Sequence, residues 1–226
     1  MEKVVNDIIF DFSTKPRLNS ERGNAILIAS SIYEACRYYE LFQKTPLKDK
    51  CAIVTSYNPS TRVITTEDTG ASTETEKQFM YNLYEGFLKD IKPQPGKIKT
   101  ESYEDWAKQK FIKEPSNMKL LIVVDKLLVG FDAPGCTYLY IDKSMQDHGL
   151  FQAICRVNRL DTDDKQFGYI VDYKDLFPKV ENAVAVYNSE LEYDEFEPQD
   201  IDIMLQDRLK IGKERLDSSL EELALL

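Results

Sequence analysis

Apolar residues fall along this chain in short continuous runs separated by stretches of helical spacing. Ala25-Ile26-Leu27-Ile28-Ala29, Cys51-Ala52-Ile53-Val54-Thr55 and Lys119-Leu120-Leu121-Ile122-Val123-Val124-Asp125 have the pattern of strands buried on both faces. Residues 136–142 and 167–171 predict two more. Residues 1–14 predict an amphipathic helix with Val4, Val5, Ile8, Ile9 and Phe12 on one side, stopped near Pro16, and a polar connection follows to Gly23. Between the first two runs, residues 32–42 have helical spacing with Cys36, Tyr39 and Phe42 facing inward. This β-α-β order favours a parallel sheet with right-handed crossovers, an α/β fold.

Further along, residues 56–71, with Pro59, Asp68 and Gly70, read as a long surface loop. Thr73-x-x-Glu76 predicts a capping box that opens a helix through about Lys89, with Phe79, Leu83 and Phe87 inside. Lys92-Pro93-Gln94-Pro95-Gly96 breaks it, and a helix centred on Trp106 runs toward Lys113. Another helix is predicted over about 149–156. In the tail, 173–187 reads as helical and 189–197 as an acidic linker. Apolar residues at 201, 205, 209, 216, 220 and 223 suit one long helix that packs on something else.

Composition narrows the class. A hydrophobic content of 42% is too high for a disordered chain, and no apolar run approaches the ~20 residues that cross a bilayer. The N-terminus lacks the charged-then-apolar form of a signal peptide, so a soluble, cytoplasmic protein is expected. A net charge of -10 speaks at first against a nucleic-acid partner. Its distribution removes the objection: residues 1–160 carry 22 basic and 21 acidic side chains, and residues 161–226 carry 7 and 18. The acidity belongs to the tail. Cys36, Cys51, Cys136 and Cys155 form no C-x-x-C pair and the chain has one His, which predicts free thiols and no metal site.

Three constellations carry candidate chemistry. Gln152-x-x-Cys155-Arg156-x-x-Arg159 opens near the N-terminus of the helix predicted from about 149, and spacings of three and four put Gln152, Arg156 and Arg159 on one face. Paired guanidiniums suit phosphate oxygens and the charge that grows in phosphoryl transfer, although surface ion pairing is the plainer use of such a pair. Asp125 ends the most apolar strand, and Gly130-Phe131-Asp132-Ala133-Pro134 follows. Glycine admits close approach of a ligand, and the aspartates can accept from a ribose hydroxyl or orient an arginine; an Asx turn and a helix cap are the alternative. Ser30-Ser31 closes the first strand and opens a helix, which serves either as an N-cap or as a phosphate site, with Arg62 and Lys126 as helpers from loops. The first two fall at the same carboxyl edge of the predicted sheet, where open α/β sheets bind ligands.

Other chemistries find no support. Gly96-Lys97 is followed by Ile98 and lacks the earlier glycine of a phosphate loop. Asp90-Ile91-Lys92 falls at a helix terminus without an acidic partner, and His148 beside Asp147 reads as helix-start packing.

The ordered set Ala25 to Ser31, Leu121 to Pro134 and Leu150 to Arg159 resembles motifs IV, V and VI of superfamily-two helicases and translocases. Val124 to Pro134, Asp142-Lys143, Asp147-His148 and Gln152 to Arg159 together resemble the motor (R) subunit of type I restriction-modification enzymes, over roughly residues 1–188. The resemblance implies the second RecA-like domain of a double-stranded DNA translocase at 21–188, a connecting helix at 1–20, and the start of a helical domain at 189–226. In that family an endonuclease domain and a first RecA-like domain with the Walker motifs come before this region, so the chain looks like an excised portion of a longer protein. Carried over, Arg159 and Arg156 would reach the phosphates of ATP bound with Mg2+, mostly by the preceding domain, and Arg159 would be the arginine finger. Gln152 would sense nucleotide, Gly130, Asp132 and Asp125 would line the cleft, and Ser30, Ser31, Arg62 and Lys126 would touch DNA. The implied partners are double-stranded DNA and the methyltransferase and specificity subunits. Cys155 stands where motif VI often has Gly. The alternatives are another superfamily-two helicase or remodeller, or a degenerate α/β protein-binding module that never meets ATP.

Overall fold

The computed structural model describes residues 1–59, 69–127, 131–145, 149, 150, 153, 157, 161, 165 and 168–176. Among them five strands, β1 (Asn24–Ala29), β2 (Cys51–Val54), β3 (Leu120–Val123), β4 (Cys136–Asp142) and β5 (Tyr169–Asp172), form a sheet in the order β2-β3-β1-β4-β5. Every pairing is parallel, with Ile28 opposite Val123 on one side of β1 and Ile141 on the other. The strands β1 to β4 are buried at every position, as a sheet covered on both faces requires. The expected last strand begins at Tyr169, and position 167 lies outside the described residues.

Helices α1 (Glu2–Thr14), α2 (Pro16–Asn19), α3 (Ile32–Phe42), α4 (Glu74–Leu88) and α5 (Lys99–Lys113) surround the sheet. Val5, Ile8 and Phe12 of α1, Cys36 and Phe42 of α3, and Met80 and Tyr84 of α4 share one core cluster with Leu27, Ile53, Ile122 and Tyr140 of the strands. Ile26, Ile28, Leu121, Val123, Leu139 and Ile141 alternate with those strand positions, point to the other face and are no more than 1% exposed.

Local readings held in outline and shifted in detail. The capping box at Thr73 is present: Glu76 N–H donates to Thr73 Oγ1 at 3.2 Å, and Glu76 Oε2 accepts from Thr73 N–H at 2.9 Å. The buried stripe of α4 is Met80, Tyr84 and Leu88, one position on from the expected Phe79, Leu83 and Phe87, which flank it half-buried. In α3 Tyr38 is the fully buried tyrosine, while Tyr39 lies at the margin against Phe87. Aromatic residues at adjacent positions blur the periodicity that would separate them. The helix expected around Trp106 is α5, with Trp106 at its midpoint; the tryptophan is 44% exposed, and Tyr103, Ala107 and Phe111 supply the buried face. α1 ends at Thr14, just before Pro16 as expected, but the supposed polar connection before Gly23 contains α2, which Pro16 opens.

That segment is tied to the amino edge of the sheet. Lys119, just before β3, is buried and donates to the carbonyls of Leu18 at 3.2 Å, Gly23 at 3.0 Å and Ser20. Burial, helped by the charge of Lys50, pushes its ammonium down to about 8. Arg17 of α2 donates through Nε to Thr137 Oγ1 at 3.0 Å and pairs with Asp161. Met1–Leu176 is one compact unit. Among the described residues no helix is long and apolar enough to cross a membrane.

Candidate functional site

At the carboxyl edge the parallel register brings Ser30, Asp125, Asp142, Lys143 and the residues after β5 side by side. Three ties cross it. Ser30, exposed at the end of β1, donates its hydroxyl to the carbonyl of Asp142 at 2.6 Å. The Asp142 carboxylate, itself buried, accepts from the Tyr38 hydroxyl of α3 and pairs with Lys174 beyond β5 at 3.0 Å. Lys143 reaches across β1 to the carboxylate of Asp125 and to the carbonyl of Val124 at 3.4 Å. The ends of β3, β1 and β4 and the chain beyond β5 are therefore joined by side chains.

The sequence-derived candidates divide along this edge. Ser31 caps α3, its Oγ accepting from Glu34 N–H at 3.1 Å, and Tyr33 N–H donates to Thr69 O at 3.0 Å. Two first-turn donors of α3 are thus occupied from within the protein, which favours the cap over a phosphate held at that terminus. Gly70 adopts a positive φ of 75° and packs so tightly on Ser31 that a Cβ there would lie 2.5 Å from its Oγ. Asp125 does not end the strand: β3 stops at Val123, and Asp125 is exposed and paired with Lys143. Asp132 is exposed between the buried Phe131 and Ala133, which anchor its loop. Lys126 turns to Glu104 of α5, so its ammonium is committed to an ion pair in this structure. Gly130, Arg62, Gln152, Arg156 and Arg159 lie outside the described residues, as do Cys155 and His148. Between 149 and 157, Leu150, Ala153 and Val157 are described as helical and buried at 1% exposure or less. Sequence reasoning gave no role to Tyr38, Asp142 and Lys174; the charged residue ending the uncharged run of β4 was the available signal.

Burial pushes the thiols of Cys36, Cys51 and Cys136 up to about 12, which leaves them inert as nucleophiles. Among the described residues no group of His, Cys, Asp and Glu is arranged to hold a metal ion.

Glu104 supplies a pH test. Burial alone would raise its carboxyl, but the hydrogen bonds from Lys108 and Lys126 outweigh that and hold it below the ordinary 4.5. A carboxylate depressed in the folded state stabilises above its unfolded value and loses that contribution as pH falls through the folded one. The tie from α5 to the β3 end should therefore weaken below about pH 4.5. A plot of Tm against pH is expected to fall less steeply there in Glu104→Gln, and superimposable slopes would contradict this.

The chain matches the family model for type I restriction enzyme subunit R domain 3 over residues 21–175. It is 33% identical over 195 residues to the MjaIXP type I restriction enzyme endonuclease subunit of Methanocaldococcus jannaschii, an alignment covering 86% of this chain and 16% of that one. It is 35% identical over 118 residues to the HindI endonuclease subunit of Haemophilus influenzae, covering 48% and 11% respectively. A solved fragment of an HsdR subunit from Vibrio vulnificus aligns at a TM-score of 0.47 with 16% identity, over 77% of this chain and 27% of that one. The chain spans less than a fifth of the length of these two curated relatives.

Proposed function

Since the chain belongs to the type I restriction enzyme subunit R domain 3 family, we propose that it is the second RecA-like lobe of an ATP-driven DNA translocase, the motor of a restriction subunit. In this reading it supplies the arginine half of an ATP site shared with a preceding lobe. The observation that carries the reading is the gathering of Ser30, Asp125, Asp142 and Lys143 on one carboxyl edge of a parallel sheet, in the chain order of the motifs.

The 149–157 segment adds support. Leu150, Ala153 and Val157 form a buried stripe at helical spacing. Gly168 presses against this segment: a Cβ there would lie 2.5 Å from the Val157 carbonyl carbon and 2.7 Å from its Cβ. The backbone two residues before Arg159 is thus closely held from one side. Always-charged forks on such a support are suited to the transferring phosphoryl group, where charge spreads over the equatorial oxygens.

Magnesium would belong to the other lobe, since the described residues here offer it no acidic cluster. ATP bound between the lobes would supply the phosphoanhydride to be broken. Arg156 and Arg159 would stabilise its transition state only on closure, and Gln152 would read the nucleotide. Ser30 and Ser31, with Arg62, would grip the DNA backbone, and alternate opening and closing would move that grip along the duplex. The methyltransferase and specificity subunits would hold the recognition site, as the resemblance implies. By itself the chain is expected to show no ATP turnover above a protein-free control. Robust turnover by the purified chain would overturn the shared-site reading.

A further inference from the structure

The hydroxyl of Ser30 has a single proton to donate, and the structure gives it to the carbonyl of Asp142 at 2.6 Å. A DNA phosphate offers only acceptors. If Ser30 is to donate to DNA through its side chain, it must first let go of β4. Ser31 is different: its Oγ accepts from Glu34 N–H, and capping does not consume the hydroxyl proton. The two adjacent serines are therefore not equivalent, although nothing in their sequence separates them.

The carbonyl that Ser30 holds lies at the last residue of β4, and only six residues, 143–148, separate it from Gly149, where helical backbone resumes. This strand end is thus close along the chain to the 149–157 segment. The other groups on Asp142 are the Tyr38 hydroxyl, buried in α3, and the exposed Lys174 ammonium, a second donor that a polyanion can attract.

We propose that the Ser30–Asp142 hydrogen bond is a DNA-responsive latch: it restrains the end of β4 in the DNA-free protein and is exchanged for a phosphate contact when DNA binds. Ser30 is then a positioning residue for the ATP site as well as a DNA contact, and the exchange tells that site that DNA is in place. The proposal rests on the translocase reading above. Because the bond to Asp142 is given up for the bond to phosphate, DNA affinity gains little from the hydroxyl. Its effect falls on the coupling.

The test uses the full-length subunit with double-stranded DNA and ATP. In Ser30→Ala the latch is absent, so the DNA-free ATPase is expected to rise about three- to tenfold toward the DNA-stimulated rate, the scale of one lost hydrogen bond. Ser30→Thr keeps the hydroxyl and should keep the wild-type stimulation ratio. Parallel loss of both rates together with a lower Tm would mark a merely structural bond and overturn the latch. A weaker DNA affinity with an unchanged ratio at saturating DNA would reduce Ser30 to a simple phosphate contact and overturn it equally. Absence of DNA stimulation in the wild type would sink the translocase reading itself, and the latch with it.

Discussion

Gly23→Ala is expected to destabilise this chain by about 3 kcal/mol, a large loss for the addition of one methyl group. A Cβ at position 23 would lie 2.7 Å from the carbonyl carbon of Arg17 and 2.8 Å from its Cγ, with the carbonyl oxygen closer still. Backbone cannot step aside here. Arg17 is fixed to Thr137 and Asp161, and the carbonyl of Gly23 is one of three that hold Lys119. Relieving the clash breaks one of those ties and leaves a buried polar group short of a partner. Gly86→Ala is the matched control. Nothing lies within 4 Å of a Cβ built at Gly86, which sits in the exposed interior of α4, so alanine there should stabilise by about 0.5–1 kcal/mol through helix propensity. Urea unfolding of the two variants, followed by far-ultraviolet circular dichroism, should move the midpoint in opposite directions. Shifts of the same sign would show that packing at Gly23 has been misjudged.

Much of the architecture was legible because it is written in periodicity. Continuous apolar runs such as Leu120–Val123 mark strands covered on both faces, and their alternation with helical spacing dictates parallel pairing. Strand order follows from tertiary packing, and neither the central place of β1 nor the edge place of β2 is encoded in any local run. The helix faces were off by one position where aromatic residues sit next to each other, since Tyr38 and Tyr39 are equally apolar and only the sheet decides which is buried.

The candidate site was legible in part for a different reason. Motif order predicted that Asp125 and the arginine helix at about 149–156 share an edge, because strand ends in a parallel sheet fall on one side. Partner choice was not predictable. Lys126 and Lys143 are both lysines near β3 and β4, yet one turns to Glu104 and the other to Asp125. Those pairings depend on side-chain reach across elements 18 and 22 residues apart in sequence, which no spacing rule covers.

Arg159 is the residue on which the proposed shared ATP site depends most. In the full-length subunit, supplied with ATP, Mg2+ and double-stranded DNA, Arg159→Ala removes the fork proposed to meet the growing charge on the transferring phosphoryl group. Its turnover should fall about 10³-fold or more, with the fold intact by circular dichroism and DNA translocation lost in step. Arg159→Lys should recover little, because a point charge on a flexible stem does not reproduce a planar two-pronged donor. The deciding measurement is the DNA-stimulated ATPase rate of Arg159→Ala beside the wild type: a loss of three orders of magnitude is the predicted result, and an unchanged rate would contradict the claim that this chain completes the ATP site.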